Sequence, residues 1–142
     1  MKRRFNKAGE INIFNLIPNF KFPRKIASNL VVKVVEHFHH QIENINIIFL
    51  DNESIKLINK LYLSHKYATD VISFRLNQGK KIEGEIYIGV EVAKKNSILY
   101  NVRFYDEIKR LIIHGCLHMI GFKDKYKKEK NEMTKWEERF LQ

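Results

Sequence analysis

The stretch that decides the fold runs His114-Gly115-Cys116-Leu117-His118-Met119-Ile120-Gly121-Phe122-Lys123-Asp124. It continues the apolar run Leu111-Ile112-Ile113, which follows the acidic pair Asp106-Glu107, so the sequence predicts a helix with acidic residues in its first turn. Because its residues are apolar nearly all round, this helix should be buried. Gly121 is the predicted stop, since a residue without Cβ readily adopts the left-handed conformation that ends helices.

Two histidines on this helix predict a metal site. His114 and His118 are four residues apart, which places both imidazoles on one helix face at a spacing that suits one metal ion. After the turn at Gly121 the chain can bring Asp124 back towards them. Two nitrogens, one carboxylate oxygen and a fourth position left for water are typical of a catalytic zinc. The alternative is two polar residues sharing a helix face, but the glycine and the acid that follow favour the metal.

The residue after the first histidine argues against one class of enzyme. Zinc peptidases of the common type carry a glutamate there as general base. Here the position holds Gly115. The sequence therefore predicts that the protein is not such a peptidase, and we expect the glycine to open space over the metal for a bulky substrate.

The composition favours a polyanionic partner. The 142 residues carry 26 Lys and Arg against 16 Asp and Glu, a net charge of +10, which favours nucleic acid. The alternative is that a chain rich in Asn, Ile and Lys reflects its genome's base composition. The length predicts one domain with a core of its own.

Cysteine usage and hydropathy indicate a cytoplasmic location. The single cysteine, Cys116, is predicted to be a small core residue, as in a reducing compartment. No apolar h-region follows the basic residues Lys2, Arg3 and Arg4, so no signal peptide is expected. No window of 18 apolar residues is present, so no membrane span is expected either.

Periodicity predicts a mixed succession of strands and helices. Strands are expected at residues 10–17, 45–50, 69–76 and 82–90, with the last two forming an antiparallel hairpin across a turn at Gly79. Helices are expected after Pro23, after Asp51 or Asn52, at residues 91–100, on the histidine stretch and at residues 126–141. The predicted fold is one α+β domain over residues 1–142, with a mixed four-stranded sheet and helices on one face, packed around a buried metal-binding helix.

These motifs together resemble a known family. The sequence resembles the YbeY family of bacterial metal-dependent endoribonucleases, also described as ribosomal RNA maturation factors, whose hallmark is His-Gly-x-Leu-His-x-x-Gly-Tyr-Asp-His. Residues 114–122 match it, and Thr69-Asp70-Val71-Ile72-Ser73-Phe74 and Gly84-Glu85-Ile86-Tyr87-Ile88 are similar to two further family blocks. The blocks occur in family order and cover about residues 45–140.

The chain departs from the family pattern at two positions. The third histidine of the hallmark is Asp124 here, an acceptable zinc ligand that also suits a harder cation. Leu57-Ile58-Asn59 and Tyr62 are similar to the family's Leu-Asn and Tyr-Arg block, and the arginine of that block, which is thought to handle RNA beside the metal, is Leu63 here. Lys60, His65 or Lys66 are the residues that stand near enough in sequence to replace it.

The resemblance implies a single-strand-specific, metal-dependent endoribonuclease that acts in ribosomal RNA maturation, including the 3′ end of 16S rRNA, and in ribosome assembly and quality control. It implies Zn²⁺ on His114, His118 and Asp124, with the two histidines catalytic, and RNA and the ribosome as partners without a nucleotide cofactor. Glu85 is a candidate general base. Tyr62, Tyr67 and Phe122 are candidates for base stacking, with core packing as the alternative. The basic residues expected to contact RNA are Lys60, His65, Lys66, Arg75, Lys123 and Lys125.

Two other functions stay open at this point. A non-enzymatic RNA-binding assembly factor with a structural metal is favoured by the loss of the arginine at Leu63. A metallohydrolase with another substrate is the other, although Gly115 disfavours peptides. Removing the metal separates the endoribonuclease from the assembly factor, because a protein with a structural metal unfolds when that metal is removed.

Overall fold

Nine elements make up the part of the chain that the computed structural model describes, residues 9–142. Lys2, Arg3 and Arg4 lie outside the described residues. The strands are β1 (Glu10–Asn15), β2 (Gln41–Leu50), β3 (Val71–Arg75) and β4 (Lys81–Gly89). The helices are α1 (Arg24–His37), α2 (Asn52–Leu63), α3 (Val90–Leu99), α4 (Phe104–Ile120) and α5 (Lys127–Leu141). The predicted strands and helices are confirmed, with shifted ends: β2 begins at Gln41 instead of residue 45.

The sheet is mixed and has the order β1-β2-β4-β3. β1 pairs in parallel with β2, and β2 in parallel with β4, so long connections carry the chain between them. β3 and β4 form the predicted antiparallel hairpin, with Ser73 opposite Ile86. The predicted α+β class with a mixed four-stranded sheet is confirmed.

The main core lies between one face of the sheet and four of the helices. Side chains alternate along a strand, so Ile45, Ile47 and Phe49 of β2 point to the same face and are buried there. They pack with residues of α1, α3, α4 and α5 in one apolar cluster. Helix α4 runs through this cluster, and the prediction of a buried helix is confirmed by the residues of it that are inaccessible to solvent: Glu107, Ile108, Leu111, Ile112, Ile113, Gly115, Cys116, Leu117 and Met119.

One helix lies on the other face of the sheet, which corrects the expectation that all helices share one face. Ile55 of α2 packs with Leu50 and Ile72, in a second cluster that Ile48, Phe74 and Tyr87 complete. The reason is the strand alternation: Ile48 and Leu50 of β2 point to the face opposite the main core and form part of a second apolar surface, which α2 covers. No helix within residues 9–142 is long and apolar enough to cross a membrane.

Helix α4 ends where the sequence predicts. Gly121 has φ 121°, a value that L side chains rarely adopt, and its N–H donates to the carbonyl oxygens of Leu117 and His118. The N–H of Phe122 also donates to the Leu117 oxygen, at 3.0 Å. This turn sends the chain back across the end of α4 and places Asp124 beside the histidines.

Candidate metal centre

His114, His118 and Asp124 meet at the C-terminal end of α4. Each offers one ligand atom, and the three atoms lie within 4.8 Å of one another. His118 Nε2 is 3.1 Å from His114 Nε2 and 3.1 Å from Asp124 Oδ2. His114 Nε2 is 3.5 Å from the same carboxylate oxygen. The three side chains are partly exposed, so the cluster sits at the surface end of a buried helix.

The other ring nitrogen of each histidine already has a partner. His114 Nδ1 is 2.5 Å from Oε2 of Glu137, and His118 Nδ1 is 2.9 Å from the carbonyl oxygen of Phe122. Both partners accept hydrogen bonds, which assigns the proton of each neutral ring to Nδ1 and leaves Nε2 with a lone pair. This is the arrangement of metal-binding histidines, whose free N–H is held by a carboxylate or a backbone carbonyl.

With both rings neutral, three acceptors converge and no proton lies between them. Two imidazole lone pairs and a carboxylate oxygen repel one another at 3.1–3.5 Å unless a cation stands among them. Ligands about 2.1 Å from a tetrahedral zinc lie roughly 3.4 Å apart, close to the separations found here. The donor set and its spacing fit a divalent metal ion, and this cluster can bind one.

A buried carboxylate behind His114 was missed by the sequence prediction. Glu137 of α5 is 4% exposed, and its second oxygen accepts from Arg110 at 3.2 Å. Arg110 also donates to both oxygens of Glu107, at 2.9 and 2.7 Å. Burial lowers the pKa of the Arg110 guanidinium, but hydrogen bonding and attraction from Glu107, and then from Glu137, outweigh burial and raise it above its usual value. No local signal marks Glu137, because its contacts lie 23 and 27 residues away in the chain.

A cavity of about 360 Å³ opens beside the cluster. His118 forms part of its wall, so a molecule in this cavity lies next to the predicted ligands. The wall combines apolar side chains with a hydroxyl, a guanidinium and the imidazole. The remaining residues that line it are Leu63, Val71, Ile72, Ser73, Arg75 and Met119.

Arg75 is the predicted RNA contact that the structure brings to this cavity. Its guanidinium is already engaged: it donates to the carbonyl oxygens of Met119 at 3.0 Å and Gly79 at 2.5 Å, and to the side chain of Asn77 at 3.1 Å. The bond to Met119 satisfies a carbonyl oxygen in the last turn of α4. The bonds to Gly79 and Asn77 hold the β3–β4 turn. Arg75 therefore has a structural task, with two of its five N–H groups left for a ligand.

The other predicted RNA contacts fall into two groups. Lys123 and Lys125 are exposed on either side of Asp124, so their place in the chain sets them at the rim of the metal cluster. Lys60, His65 and Lys66 are exposed at the end of α2 and in the loop that follows, near Leu63 in the chain. His65 stacks on Tyr67 with ring centroids 5.4 Å apart. An RNA contact at any of these residues stays a prediction.

The candidate general base Glu85 faces away from the cluster. Gly84 and Ile86 of β4 point towards α4, since a Cβ on Gly84 would clash with Sδ of Met119 and Ile86 contacts Gly115. Glu85 alternates with them on the opposite face, where Tyr87 donates a 2.7 Å hydrogen bond to it. Burial, and then this hydrogen bond, raise the pKa of Tyr87 above its usual value. The orientation of β4 removes Glu85 as a base for chemistry at the histidines.

The aromatic candidates separate into exposed and packed residues. Tyr62 and Tyr67 are 66% and 56% exposed, so core packing does not account for them. Tyr62 lies edge-on against Phe74 with ring centroids 5.5 Å apart. Phe122 packs against the main core and against Phe38, which is the alternative that the sequence left open. Base stacking at the two tyrosines stays a prediction.

Gly115 has a different role from the predicted one. A Cβ on this residue would lie 2.8–3.1 Å from side-chain atoms of Ile86, so the glycine lets α4 lie close against β4. The expectation that it opens space over the metal is wrong, because positions 114 and 115 lie about 100° apart around the helix. Cys116 is the predicted core residue, fully buried, and burial raises the pKa of its thiol to about 12.

Comparison with known proteins gives one family. The sequence profile of the family described as Endoribonuclease YbeY matches residues 13–142. The chain is 43% identical over 121 residues to a protein named Endoribonuclease YbeY from Chloroherpeton thalassium, covering 85% of this chain and 86% of that protein. It is 40% identical over 128 residues to a protein of the same name from Karelsulcia muelleri, covering 90% and 87%.

A solved structure has the same fold. The solution structure of TM1509 from Thermotoga maritima superposes with a TM-score of 0.65 and 24% identity, covering 93% of this chain and 87% of that one. The likeness supports the α+β architecture described above.

Proposed function

The chain belongs to the YbeY family, and we propose that it is a metal-dependent endoribonuclease that cleaves phosphodiester bonds in ribosomal RNA precursors. The observation that carries this proposal is the convergence of three acceptor atoms beside an open cavity. His114, His118 and Asp124 meet there within 4.8 Å, and His118 belongs both to the cluster and to the cavity wall. A ligand set at the edge of a cavity suits a metal that meets a substrate.

The three side chains would hold the ion, and Zn²⁺ is the metal that we propose, at one per chain. Two imidazole nitrogens favour zinc, and a carboxylate is an accepted third ligand. A divalent ion bound there supplies a Lewis acid for a phosphoryl oxygen and lowers the pKa of a bound water. Glu137 keeps the proton on Nδ1 of His114, so that Nε2 faces the site with its lone pair.

The surroundings of the cluster provide a path for an RNA strand. Lys123 and Lys125 flank Asp124 and attract the phosphate backbone without reading sequence. The apolar wall formed by Leu63, Val71 and Ile72 gives an unpaired base a surface to lie on. An unpaired strand can present its bases to such a wall, whereas a duplex keeps them stacked, which supports the proposal that the substrate is single-stranded.

The net charge of +10 supports a further part of the proposal, that the protein works on ribosomal RNA in the cytoplasm and meets the ribosome there. Processing of the 16S rRNA 3′ end, and a part in ribosome assembly and quality control, belong to this proposal. The wholly buried free thiol of Cys116 fits a reducing compartment.

One observation favours a second candidate function, a non-enzymatic RNA-binding assembly factor with a structural metal. Leu63 stands in the cavity wall where the resemblance places an arginine, so a guanidinium–phosphate contact is missing there. The two functions differ in what metal removal does. Chelation of a structural metal unfolds the protein, whereas chelation of a catalytic metal leaves a folded and inactive one.

The deciding experiment combines elemental analysis with an RNA cleavage assay on the wild type and on Asp124→Ala. We expect about one zinc per wild-type chain and metal-dependent cleavage of a ribosomal RNA fragment with single-stranded segments, both lost in the variant. Circular dichroism before and after chelation checks that the fold remains. Zinc bound by a folded wild type that cleaves no RNA would overturn the enzymatic proposal and favour the assembly factor.

A further inference from the structure

We infer that Glu137, held in place by Arg110, is a positioning residue for the metal site: it orients His114, fixes its tautomer and adds negative charge behind it. The inference rests on the proposed function only in requiring that the cluster binds a metal. It does not depend on which substrate is cleaved.

The contact between Glu137 and His114 is short, and its carboxylate is buried. Oε2 of Glu137 lies 2.5 Å from Nδ1 of His114, and the side chains are 5% and 17% exposed. A carboxylate held out of water accepts a strong hydrogen bond from an imidazole N–H. That bond points Nε2 of His114 towards His118 and Asp124 and makes the imidazole a more basic ligand.

Arg110 fixes the carboxylate in turn. Its guanidinium lies between Glu137 and Glu107, and Nη2 is 3.9 Å from Oδ2 of Asp70. Asp70 is held by Asn96 of α3 through a 3.0 Å hydrogen bond. The contacts thus run from α3 and the residue before β3, through Arg110 of α4 and Glu137 of α5, to the predicted ligand His114 of α4. Each contact removes freedom from the next side chain.

The charges of this network point to a cation at the cluster. Three carboxylates, those of Glu107, Glu137 and Asp70, surround the single guanidinium of Arg110. One positive charge does not balance three negative ones, and Glu107 and Glu137 are almost inaccessible to solvent. A divalent cation held by His114 would offset the excess across the imidazole ring. The alternative is an ordinary core ion pair, in which Glu137 stabilises the fold and has no effect on metal binding.

The test compares Glu137→Gln with Glu138→Gln, the same substitution at the next residue of α5, which is exposed. Zn²⁺ affinity is measured by competition with a chromophoric chelator, and the visible spectrum of the Co²⁺-loaded protein reports ligand geometry. We expect Glu137→Gln to bind Zn²⁺ roughly 10- to 100-fold more weakly, with an altered Co²⁺ spectrum, since this is the usual effect of losing such a partner. Glu138→Gln should match the wild type in both.

Thermal unfolding of the metal-free proteins separates positioning from stability. A lower melting temperature for Glu137→Gln with unchanged Zn²⁺ affinity and Co²⁺ spectrum would overturn the inference. If Glu137→Gln does not fold, Glu137→Asp is the second test, because it keeps the charge but is one methylene too short to reach His114. Several-fold weaker Zn²⁺ binding is expected, and unchanged binding would overturn the inference. Failure of the wild type to cleave RNA contradicts the proposed function alone, since these affinities are measured without RNA.

Discussion

The two histidines of the site lie on the same face of α4, but different groups hold their Nδ1 atoms. His114 faces inwards, where a buried carboxylate on another helix holds its Nδ1 at 2.5 Å. His118 faces outwards, where the backbone oxygen of Phe122 holds its Nδ1 at 2.9 Å and its ring borders the cavity. One ligand is thus tied to the tertiary packing of α4 and α5, and the other to the local turn that ends α4.

This difference predicts which substitutions affect folding and which affect only metal binding and activity. The inner histidine belongs to a charged network that crosses the protein interior, so changes there should alter both folding and metal binding. The outer histidine belongs to the turn and the cavity, so changes there should alter metal binding and activity with little effect on folding. Substitutions on the two sides should therefore be distinguishable by measuring stability and activity together.

The largest effect is expected from removing either histidine. His114→Ala and His118→Ala should each lose RNA cleavage by more than the roughly 10- to 100-fold that loss of a supporting partner costs, because a ligand itself is gone. The free energy of unfolding without metal should differ between the two variants. His114→Ala leaves an oxygen of buried Glu137 without its donor, at a cost of about 1–3 kcal/mol, whereas the Phe122 carbonyl lies in a partly exposed turn.

Urea unfolding of both variants after chelation measures this difference, with the metal-free wild type as the reference. Both substitutions remove one of the three converging acceptors, so that common gain cancels between them. Equal stabilities for the two variants would contradict the conclusion that His114 is tied to the protein interior more strongly than His118. Full cleavage by metal-verified His118→Ala would contradict the enzymatic proposal itself.

A smaller effect is expected from the cavity on the outer side. Leu63→Arg adds a guanidinium to the wall beside His118, where it can reach an RNA phosphate. We expect the RNA concentration at half-maximal rate to fall roughly 2- to 5-fold, the value of a partly exposed ion pair. Leu61→Arg is the matched control, since position 61 is 64% exposed and lies about 160° away around α2. An equal gain from both variants would show general attraction of RNA to added charge.

The sequence predicts one half of this site better than the other. The spacing of His114 and His118, the glycine turn and Asp124 are local features, and helix geometry alone brings them together. Local sequence patterns do not identify Glu137, because it reaches His114 only after α5 packs against α4. Other acidic residues of α5 look the same in the sequence. Local patterns therefore identify the ligands, and long-range packing supplies the residue that holds one of them.

The same limit explains the errors in the fold. An apolar face on α2 was predictable, but which side of the sheet it covers depends on how β2 and β4 pair in space. Gly115 looked like a feature of the site because it follows a metal ligand in sequence. Its neighbour in space is Ile86 of β4, and only the packing of α4 on the sheet reveals the close approach that needs a glycine.

The smallest effect is expected at the rim, where Lys123 and Lys125 flank the outer ligand Asp124. If each contacts one RNA phosphate, Lys123→Ala or Lys125→Ala should lower the slope of log affinity against log salt by about 0.7 for a single strand. The variants should weaken binding of all RNA sequences alike, because backbone contacts carry no sequence information.

Lys21→Ala is the control, since the carbonyl of Lys21 accepts from Tyr105 at the far end of α4, roughly 20 Å from His118 by helical rise. Fluorescence anisotropy on a catalytically silent His118→Ala background measures binding without cleavage. Unchanged slopes in both rim variants would show that neither lysine contacts an RNA phosphate.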